Sequence, residues 1–425
     1  MRKGSYMTQS SRGRRLLAAV ASVLIGATTV ALGPGRAEAA AAFAPIDASS
    51  FVLDPADSFQ RYGDIVSRIE ASGKVTPAAS LSAAIDGPQD FTPTWGLCHS
   101  SGIVSTLNPT GFCWDADDDD WASGWRPQGI TGSWDAQPNL IWENRKIAVA
   151  SWHGPQDSNA FSRLTFVDYT STAKLKFRDV LLVVPDSTGG VDNFRTFDWN
   201  HADGVVWYGN TLLVADGGRL HAFSLRHLWA MTRSEEEVGF GADGSKAPSG
   251  RWHRYVLPQI GEYYPEYTPT GGYVGCSSIT GVRPCLNAIS LDRRGSNRDS
   301  MVSAEYVGTD AAGGRAIRWP MSSATALPLL SADGKVHADE AFVSPIWHMQ
   351  GVASDGTNWF LSGTCAGGSG TCVHKAVPGQ APHQKAQVYG GLENLSYQPS
   401  YNGSAPRLWG LTEGDNRITF NISIP

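Results

Sequence analysis

DGVVWYGNTLLVADGGRLHAFSL, the stretch at residues 203–225, decides the fold class of this chain. Two short apolar runs are joined by Gly209-Asn210, a dipeptide that tolerates positive φ and is typical of a β-hairpin turn. Gly217-Gly218 makes a second turn, and the alternation of apolar and polar residues over 219–225 predicts a third strand. The stretch therefore predicts an antiparallel meander whose first strand begins after one aspartate and whose second strand ends on another.

The same pattern recurs along the chain: a polar residue precedes a small residue and an apolar strand, and a second apolar strand follows. The first strands start at QGIT (128–131), DGVV (203–206), NAIS (287–290), QGVA (350–353) and ENLS (393–396). Repeated hairpins with few helices predict an all-β fold, and repeat units of blade-like length favour a β-propeller. Five copies predict five blades. Six would follow if the segment before Gln128 or the insertion at 231–285 hides another.

The last copy has room for three strands, the third being 417–424. Its fourth strand would have to come from the segment before Gln128, which would close the ring and remove exposed sheet edges. We therefore expect 42–127 to close the propeller and 128–425 to form the blades. One amphipathic helix is predicted from Asp57 to Ser72, and a short second one from Arg226 to Val238.

Residues 203–225 resemble a blade of the six-bladed propellers that contain NHL repeats and the calcium-dependent lactonases. The resemblance covers about one repeat well and the others poorly. It implies a propeller fold but no particular activity. The whole chain also resembles secreted propellers of high-GC bacteria, which adds no chemistry.

Residues 1–41 have the three-part pattern of a secretory signal: basic residues up to Arg15, an apolar run over 16–32, and small residues at 37–40. An uncleaved anchor is the alternative, but the apolar run is short for a span. No later segment approaches about twenty apolar residues, so we expect a secreted, extracellular protein without membrane contact after signal cleavage. The net charge of −6 argues against nucleic acid as a partner.

All six cysteines follow the signal and fall into three close pairs. In an oxidising compartment such spacing favours nearest-neighbour disulfides, each stapling one loop. A metal cluster would need tighter Cys-x-x-Cys spacing. The predicted disulfides are Cys98–Cys113, Cys276–Cys285 and Cys365–Cys372.

In a propeller, residues just before the first strands and just after the second strands share one end of the central channel. The sequence therefore predicts a site there, since convergent polar groups at an opening are the usual place for a ligand. We expect His201, Asp203, His348, Glu305 and Glu393 to be catalytic. The expected ligand-binding residues are Gln128, His153, Asp216, Asn287, Gln350, Glu413 and Trp152.

Two chemistries fit these residue types. Oxygens of Asp203, Asn287 and Glu393 would suit calcium, with a histidine moving the proton, and the lactonase resemblance implies the same. Alternatively, Asp203, Glu305 and Glu393 would act as acid and base on a glycoside without metal. A purely structural role of these residues is the alternative to both chemistries. Polar residues at such positions often hydrogen-bond to the backbone of the next blade, and Asp216 before two glycines is a usual turn residue.

Two further features stand out. Asp115, Asp117 and Asp119 alternate in an acidic run, as in calcium loops, although the glycine and distal glutamate of such loops are missing, and a solvated acidic loop is the alternative. Six tryptophans crowd into 114–152 and would either stack on sugars or pack between blades. They are Trp114, Trp121, Trp125, Trp134, Trp142 and Trp152.

The sequence thus predicts an extracellular propeller enzyme, a hydrolase or lyase that acts on a glycan, lactone or ester at the channel mouth. The first of the two chemistries above would make this enzyme calcium-dependent. The alternative is a non-catalytic, lectin-like propeller that binds carbohydrate or another small ligand. No nucleotide or organic cofactor motif is present in the sequence.

Overall fold

A computed structural model describes residues 41–88, 93–98, 101–114, 124–154, 161–197, 201–265, 267–268, 272–273, 283–293, 298–308, 313–414 and 417–424. These residues are nearly all β-structure, as predicted. Most of their strands fall into five antiparallel four-stranded groups, four of which are parts of larger sheets; we call these groups blades 1 to 5. Residues 1–40, including most of the predicted signal, lie outside the described ranges.

The strands of each blade follow one another from the axis outward. Blade 1 contains Arg126–Gly132, Ile147–His153, Ser162–Asp168 and Lys176–Asp186; blade 2 contains Gly204–Tyr208, Thr211–Ala215, Leu220–Ser224 and Tyr255–Tyr263; blade 3 contains Ala288–Asp292, Ser300–Ala304, Arg315–Ser322 and Glu340–Val343; blade 4 contains Gly351–Ser354, Trp359–Thr364, Thr371–Ala376 and His383–Val388; blade 5 contains Leu392–Gln398, Arg407–Thr412, Ile418–Ser423 and Thr110–Cys113.

The first strands of the five blades line the axis. Each contacts the first strand of the next blade, and the first strand of blade 5 contacts that of blade 1, so the ring is closed. Each predicted repeat thus supplies the start of one blade. The insertion at 231–285 does not add a sixth blade within its described part, where Tyr255–Tyr263 is the outer strand of blade 2. That strand also pairs in parallel with the outer strand of blade 1 through Val256 and Leu181.

The small residue at the start of each repeat has a packing reason. A Cβ on Gly204 would lie 2.6 Å from the backbone nitrogen of Ile289 in blade 3, and one on Gly351 would lie 2.5 Å from the carbonyl oxygen of Glu393 in blade 5. Such separations are shorter than van der Waals contact. At Gly204 and Gly351 the neighbouring first strands approach this closely only because the residue has no side chain.

The ring is closed by a strand from the N-terminal segment. Thr110–Cys113 pairs with the third strand of blade 5, with Cys113 opposite Ile418. Thr94–Trp95 then adds to its outer edge. The disulfide Cys98–Cys113 links this closing strand to the loop that precedes it, and Cys365–Cys372 joins two strands of blade 4. Both pairings confirm the prediction; Cys276 of the third predicted pair lies outside the described residues.

The predicted N-terminal helix is present as Ser58–Ala71, which packs Ile65, Val66 and Ile69 against the outer strands of blades 1 and 2. The predicted helix from Arg226 to Val238 is wrong. A 3-10 turn at Leu225–His227 is followed by the strand Trp229–Ala230, whose backbone pairs on both sides.

The other described helices are short, and none of the described helices is long and apolar enough to cross a bilayer. They are Leu81–Asp86 and Ser133–Ala136, with 3-10 turns at Ser105–Leu107 and Thr188–Gly190. The remaining short strands are Ala44–Ile46, Val52–Leu53, Thr76–Pro77, Asn193–Thr196, Val238–Gly239, Ser249–Gly250, Tyr267–Thr268, Gly272–Tyr273, Leu327–Pro328 and Val336–His337.

Candidate functional site

The upper face of the propeller is the face on which the first strands begin and the second strands end. Polar side chains from all five blades meet there, and we call them the mouth cluster. Its members are Gln128, His153, His201, Asp203, Asp216, Asn287, Gln350, Glu393 and Glu413. All nine belong to the sequence-predicted set.

His201 is the most exposed residue of the mouth cluster, and it pairs with Asp203. His201 Nδ1 lies 2.6 Å from Asp203 Oδ1, and the side chains are 45% and 14% exposed. Burial acts to lower the pKa of His201, but the bond to Asp203 and the neighbouring carboxylates outweigh it and raise this pKa. Burial likewise raises the pKa of Asp203, against the effects of His201 and Asn287. Both groups therefore hold a proton more tightly than they would in water.

His153 packs behind this pair. Its ring stacks on that of His201, with the ring centroids 4.2 Å apart, and its Nδ1 lies 2.9 Å from the carbonyl oxygen of Gly154. Burial, assisted by the charges of His201 and Arg126, lowers the pKa of His153 to about 4. His153 is therefore neutral near pH 7 and gives the His201 ring a fixed surface to lie on.

Two glutamates of blade 5 lie on the other side of the mouth cluster. Glu413 accepts a hydrogen bond of 2.9 Å from the Gln128 amide, and Glu393 accepts one of 3.2 Å from the Gln350 amide. Glu393 is buried, and burial together with the charges of Glu413 and Asp203 raises its pKa well above the ordinary value. The protonated form of Glu393, which lies beside the histidine–aspartate pair, is therefore favoured more than that of a carboxyl group in water.

Asn394 crosses the axis directly below the mouth cluster. It is fully buried, and its Nδ2 donates to the carbonyl oxygen of Ile289 in blade 3 at 2.8 Å. Its Oδ1 accepts from the backbone nitrogen of Val352 in blade 4 at 3.3 Å. Since this side chain ties three blades together on the axis, the mouth cluster has a floor.

A cavity of about 470 Å³ opens beside the mouth cluster, and Asp216 belongs to both. We call it the blade 2 cavity. His221 Nε2 lies 3.0 Å from Asp216 Oδ2, while its Nδ1 lies 3.1 Å from the Gln259 amide and 3.5 Å from Glu262 Oε2. The other lining residues are Tyr62, Val184, Arg195, Phe197, Gly218 and Arg219.

Glu262 is the charged centre of this cavity wall. Tyr62 donates to it at 3.0 Å, and Arg61 and Arg219 approach it at 3.3 and 3.4 Å. Although burial raises the pKa of Glu262, the neighbouring His221, the hydrogen bond from Tyr264, and the Arg219 and Tyr62 side chains outweigh burial and lower the pKa. The sequence analysis missed both His221 and Glu262. His221 stands inside the stretch 203–225 as a polar residue on the third strand, whereas Glu262 lies on a fourth strand that the repeat did not reveal.

Three predicted residues have other surroundings. Both carboxylate oxygens of Glu305 pair with the guanidinium group of Arg315 at 2.6 Å, and Cys285 N donates to the same carboxylate. His348 lies 3.1 Å from Thr364 Oγ1 and stacks on Tyr306 at the rim of the upper face.

Trp152 is fully buried, and its ring packs against Trp114. Trp114, Trp125, Trp134 and Trp142 are also buried, and Trp121 lies outside the described residues. This burial favours the packing interpretation of these tryptophans, and sugar stacking by them stays a prediction.

The side chains predicted to bind calcium already have hydrogen-bond partners within the protein. Asp203 is engaged by His201 and Asn287, and Glu393 by Gln350. Within the described ranges, no three His, Cys, Asp or Glu side chains converge as a metal ion requires. The alternative ligands Asp115, Asp117 and Asp119 lie outside those ranges. Calcium binding stays a prediction, tested by thermal unfolding with calcium and with a chelator.

Comparisons with known proteins return no matching family model and no matching curated protein. Among solved structures, the chain is similar to the soluble aldose sugar dehydrogenase of Escherichia coli, with TM-score 0.33, 11% identity, and coverage of 78% of this chain and 96% of that one. A putative glycoside hydrolase from Parabacteroides distasonis has TM-score 0.33, 10% identity, and coverage of 89% and 98%. The polysaccharide lyase Uly1 has TM-score 0.20, 12% identity, and coverage of 64% and 55%. With all three TM-scores below 0.5, fold and function rest on the geometry of this chain alone.

Proposed function

We propose that this chain is an extracellular enzyme that cleaves a glycan, or a lactone or ester of a sugar, by acid–base catalysis at the mouth cluster. The observation that carries the proposal is the His201–Asp203 pair, 2.6 Å apart, with the histidine side chain 45% exposed. A histidine held on a carboxylate through Nδ1 keeps Nε2 for a substrate, as a general acid or base requires.

In this proposal His201 moves the proton. Asp203 fixes the orientation of the ring through Nδ1 and stabilises its protonated form. Because the pKa of His201 is raised, the protonated ring is favoured relative to that of a free histidine, and in that form it can give the proton to a leaving oxygen. Burial and the charges of Glu413 and Asp203 favour the protonated form of Glu393, and in that form it would donate a hydrogen bond toward an oxygen that gains charge during cleavage.

The blade 2 cavity is the proposed binding site for the rest of the substrate. It adjoins the mouth cluster at Asp216, and its volume of about 470 Å³ is in the range of small-ligand sites. Arg195, Arg219, Gln259 and His221 supply hydrogen-bonding groups, and Phe197 supplies an apolar face. Such a mixture suits a sugar, which presents hydroxyl groups at its edge and C–H groups on its faces.

The test is a turnover screen of the purified protein against neutral polysaccharides, uronate polysaccharides, sugar lactones and aryl esters. Reducing-end release, absorbance of unsaturated products and acid release separate the three reaction types. With the best substrate, His201→Gln is expected to lower kcat by about a hundredfold or more, the usual contribution of a general acid or base.

His337→Gln is the matched control. His337 does not lie on the upper face, and it forms a similar pair with Asp333, in which Nε2 and Oδ2 are 2.8 Å apart. This control should retain full turnover. Undiminished kcat in the His201→Gln variant would refute the proposed role of His201.

A second candidate function is non-catalytic binding of carbohydrate at the same mouth. It is favoured by the hydrogen bonds that already engage Glu393 and Glu413 within the protein. Under this alternative the screen yields no product, yet a sugar of the panel binds and protects the chain from thermal unfolding.

A further inference from the structure

A second cavity lies on the lower face, the face opposite the mouth cluster, between blades 5 and 1. Its volume is about 540 Å³, and we call it the lower cleft. Its described walls come from the ends of the first strand of blade 5 and the third strand of blade 1, and from the loops beside them. Since Asn394 bridges the axis between the two faces, the lower cleft is separate from the proposed active site.

Aromatic rings form one wall of the lower cleft. Trp95 and Tyr169 are stacked with centroids 6.0 Å apart, and Tyr169 packs on Trp409 at 5.4 Å. Tyr401 stands at the edge and is 39% exposed. Partly exposed flat rings around a pocket of this size are suited to stacking against the C–H face of a sugar ring.

Polar groups on the opposite side remain available for a ligand. Gln398 uses its Oε1 to accept from Trp409 Nε1 at 2.7 Å, which leaves its amide hydrogens unused among the described contacts. Asn139 accepts at 3.1 Å from the backbone of Ile141 and likewise keeps its amide hydrogens. Amide donors beside stacked rings can bind sugar hydroxyl groups.

The charged side chains among the described lining residues of the lower cleft are all basic. Lys146 and Arg407 line it, and no Asp or Glu is among its described lining residues. Arg407 donates hydrogen bonds only to neutral acceptors. Its acceptors are the Asn421 side chain at 2.6 Å and the backbone carbonyl oxygens of Asn421 and Asn108 at 3.0 and 2.5 Å. It also donates to the hydroxyl groups of Ser423 and Thr110 at 3.2 and 3.5 Å.

The half-buried guanidinium group of Arg407 therefore has no carboxylate partner among the described residues. Burial lowers the pKa of Arg407, with no acidic neighbour to oppose it. In a chain with a net charge of −6, a cleft that holds two cations and no described anion favours an anionic ligand.

We propose that the lower cleft binds an acidic saccharide, with a pyranose ring against Trp95 and Tyr169 and its carboxylate or sulfate group near Lys146 and Arg407. This site is additional to the mouth cluster and does not depend on the catalytic proposal. It gives the protein a second contact with a charged polysaccharide.

The test is calorimetric titration of the full secreted chain with three probes of equal length: an oligogalacturonate, a sulfated galactose oligosaccharide and the neutral galactose oligosaccharide. The anionic probes are expected to bind more tightly than the neutral one, and the tighter of the two identifies the anionic group. Lys146→Gln should weaken anionic binding by about tenfold, as expected for one charge-assisted contact. Tyr401→Ala should weaken all binding.

Lys385→Gln is the matched control, because Lys385 is an exposed lysine on the outer strand of blade 4. It should leave binding unchanged, and so should His201→Gln, which changes the opposite face. Equal affinity for neutral and anionic probes, no binding of either anion, or indifference to Lys146→Gln would overturn the proposal.

Discussion

Glu393 lies in surroundings very different from those of a surface carboxylate. It is buried at the axis, and its pKa is raised by burial and by the charges of Glu413 and Asp203. A raised carboxyl pKa means that the folded state favours the protonated form. The contribution of Glu393 to the free energy of unfolding is therefore fully present below the pKa that it has in the unfolded chain. This contribution is lost as the pH rises through the pKa that it has in the folded state.

The Glu393→Gln variant, a neutral mimic of the protonated acid, tests this linkage. Its melting temperature should exceed that of the unmodified chain by a few degrees at about pH 8, and the difference should vanish at about pH 4. Glu236→Gln is the control, since Glu236 is exposed and pairs only loosely with Arg251 at 3.6 Å. A difference that is equal at both pH values would contradict the assigned cause.

At the residue scale, the sequence predicted which positions converge but not what each does there. The polar residue before each first strand follows from the repeat, and Asp203, Asn287 and Glu393 do meet at one face. Glu305 satisfies the same pattern and yet forms an ion pair with Arg315. Its partner lies on the third strand, and the pattern of first and second strands holds no information about that strand.

At the scale of single strands, the approach of neighbouring first strands limits the side chains they can carry. Gly204→Ala places a Cβ 2.6 Å from the Ile289 nitrogen and 2.9 Å from its Cγ1. We expect a loss of about 1 to 3 kcal/mol in the free energy of unfolding, measured with denaturant.

Gly63→Ala is the matched control within the helix Ser58–Ala71, where an added Cβ meets no atom within 4 Å. Because alanine favours the helix, this control should gain about 0.5 to 1 kcal/mol. If both variants lost stability equally, close packing at the axis would not explain the glycine in the repeat.

The two helix predictions show when the periodicity of apolar residues predicts a helix correctly. Asp57 to Ser72 has one apolar face and an outer sheet surface to cover, and the observed helix differs by one residue at each end. Over 226–238, the backbone of Trp229 pairs both with Val256 and with Pro77. These strand partners lie far away in the sequence, so local periodicity had no means of indicating them.

At the scale of the whole molecule, one strand from the N-terminal segment closes the ring against the C-terminal strand. The closing strand Thr110–Cys113 pairs with the third strand of blade 5, and the disulfide to Cys98 spans 15 residues. The Cys98→Ser/Cys113→Ser variant should lose about 3 kcal/mol, according to chain-entropy reasoning. Calorimetry should show one transition at a lower temperature, since the ring has no edge left to unfold alone.

The Cys365→Ser/Cys372→Ser variant provides the comparison, because that disulfide spans 7 residues within blade 4. Its expected loss is smaller, about 2 kcal/mol. An unchanged melting temperature without the Cys98–Cys113 bond would show that strand pairing alone closes the ring.

The ring itself was predictable because five similar segments cannot bury their apolar faces singly and must pack side by side. The structure of the insertion at 231–285 was not predictable, since most of its described residues form no repeat and only Tyr255–Tyr263 joins a blade. The same holds for the lower cleft, whose walls come from loop residues and strand ends outside the repeated pattern.

Asn394 gives this architecture a directional property. By bonding blades 3 and 4 to blade 5 on the axis, it places a hydrogen-bonded bridge directly below the mouth cluster. Under the proposed function, a substrate would therefore approach from the upper face, and its product would leave by the same face.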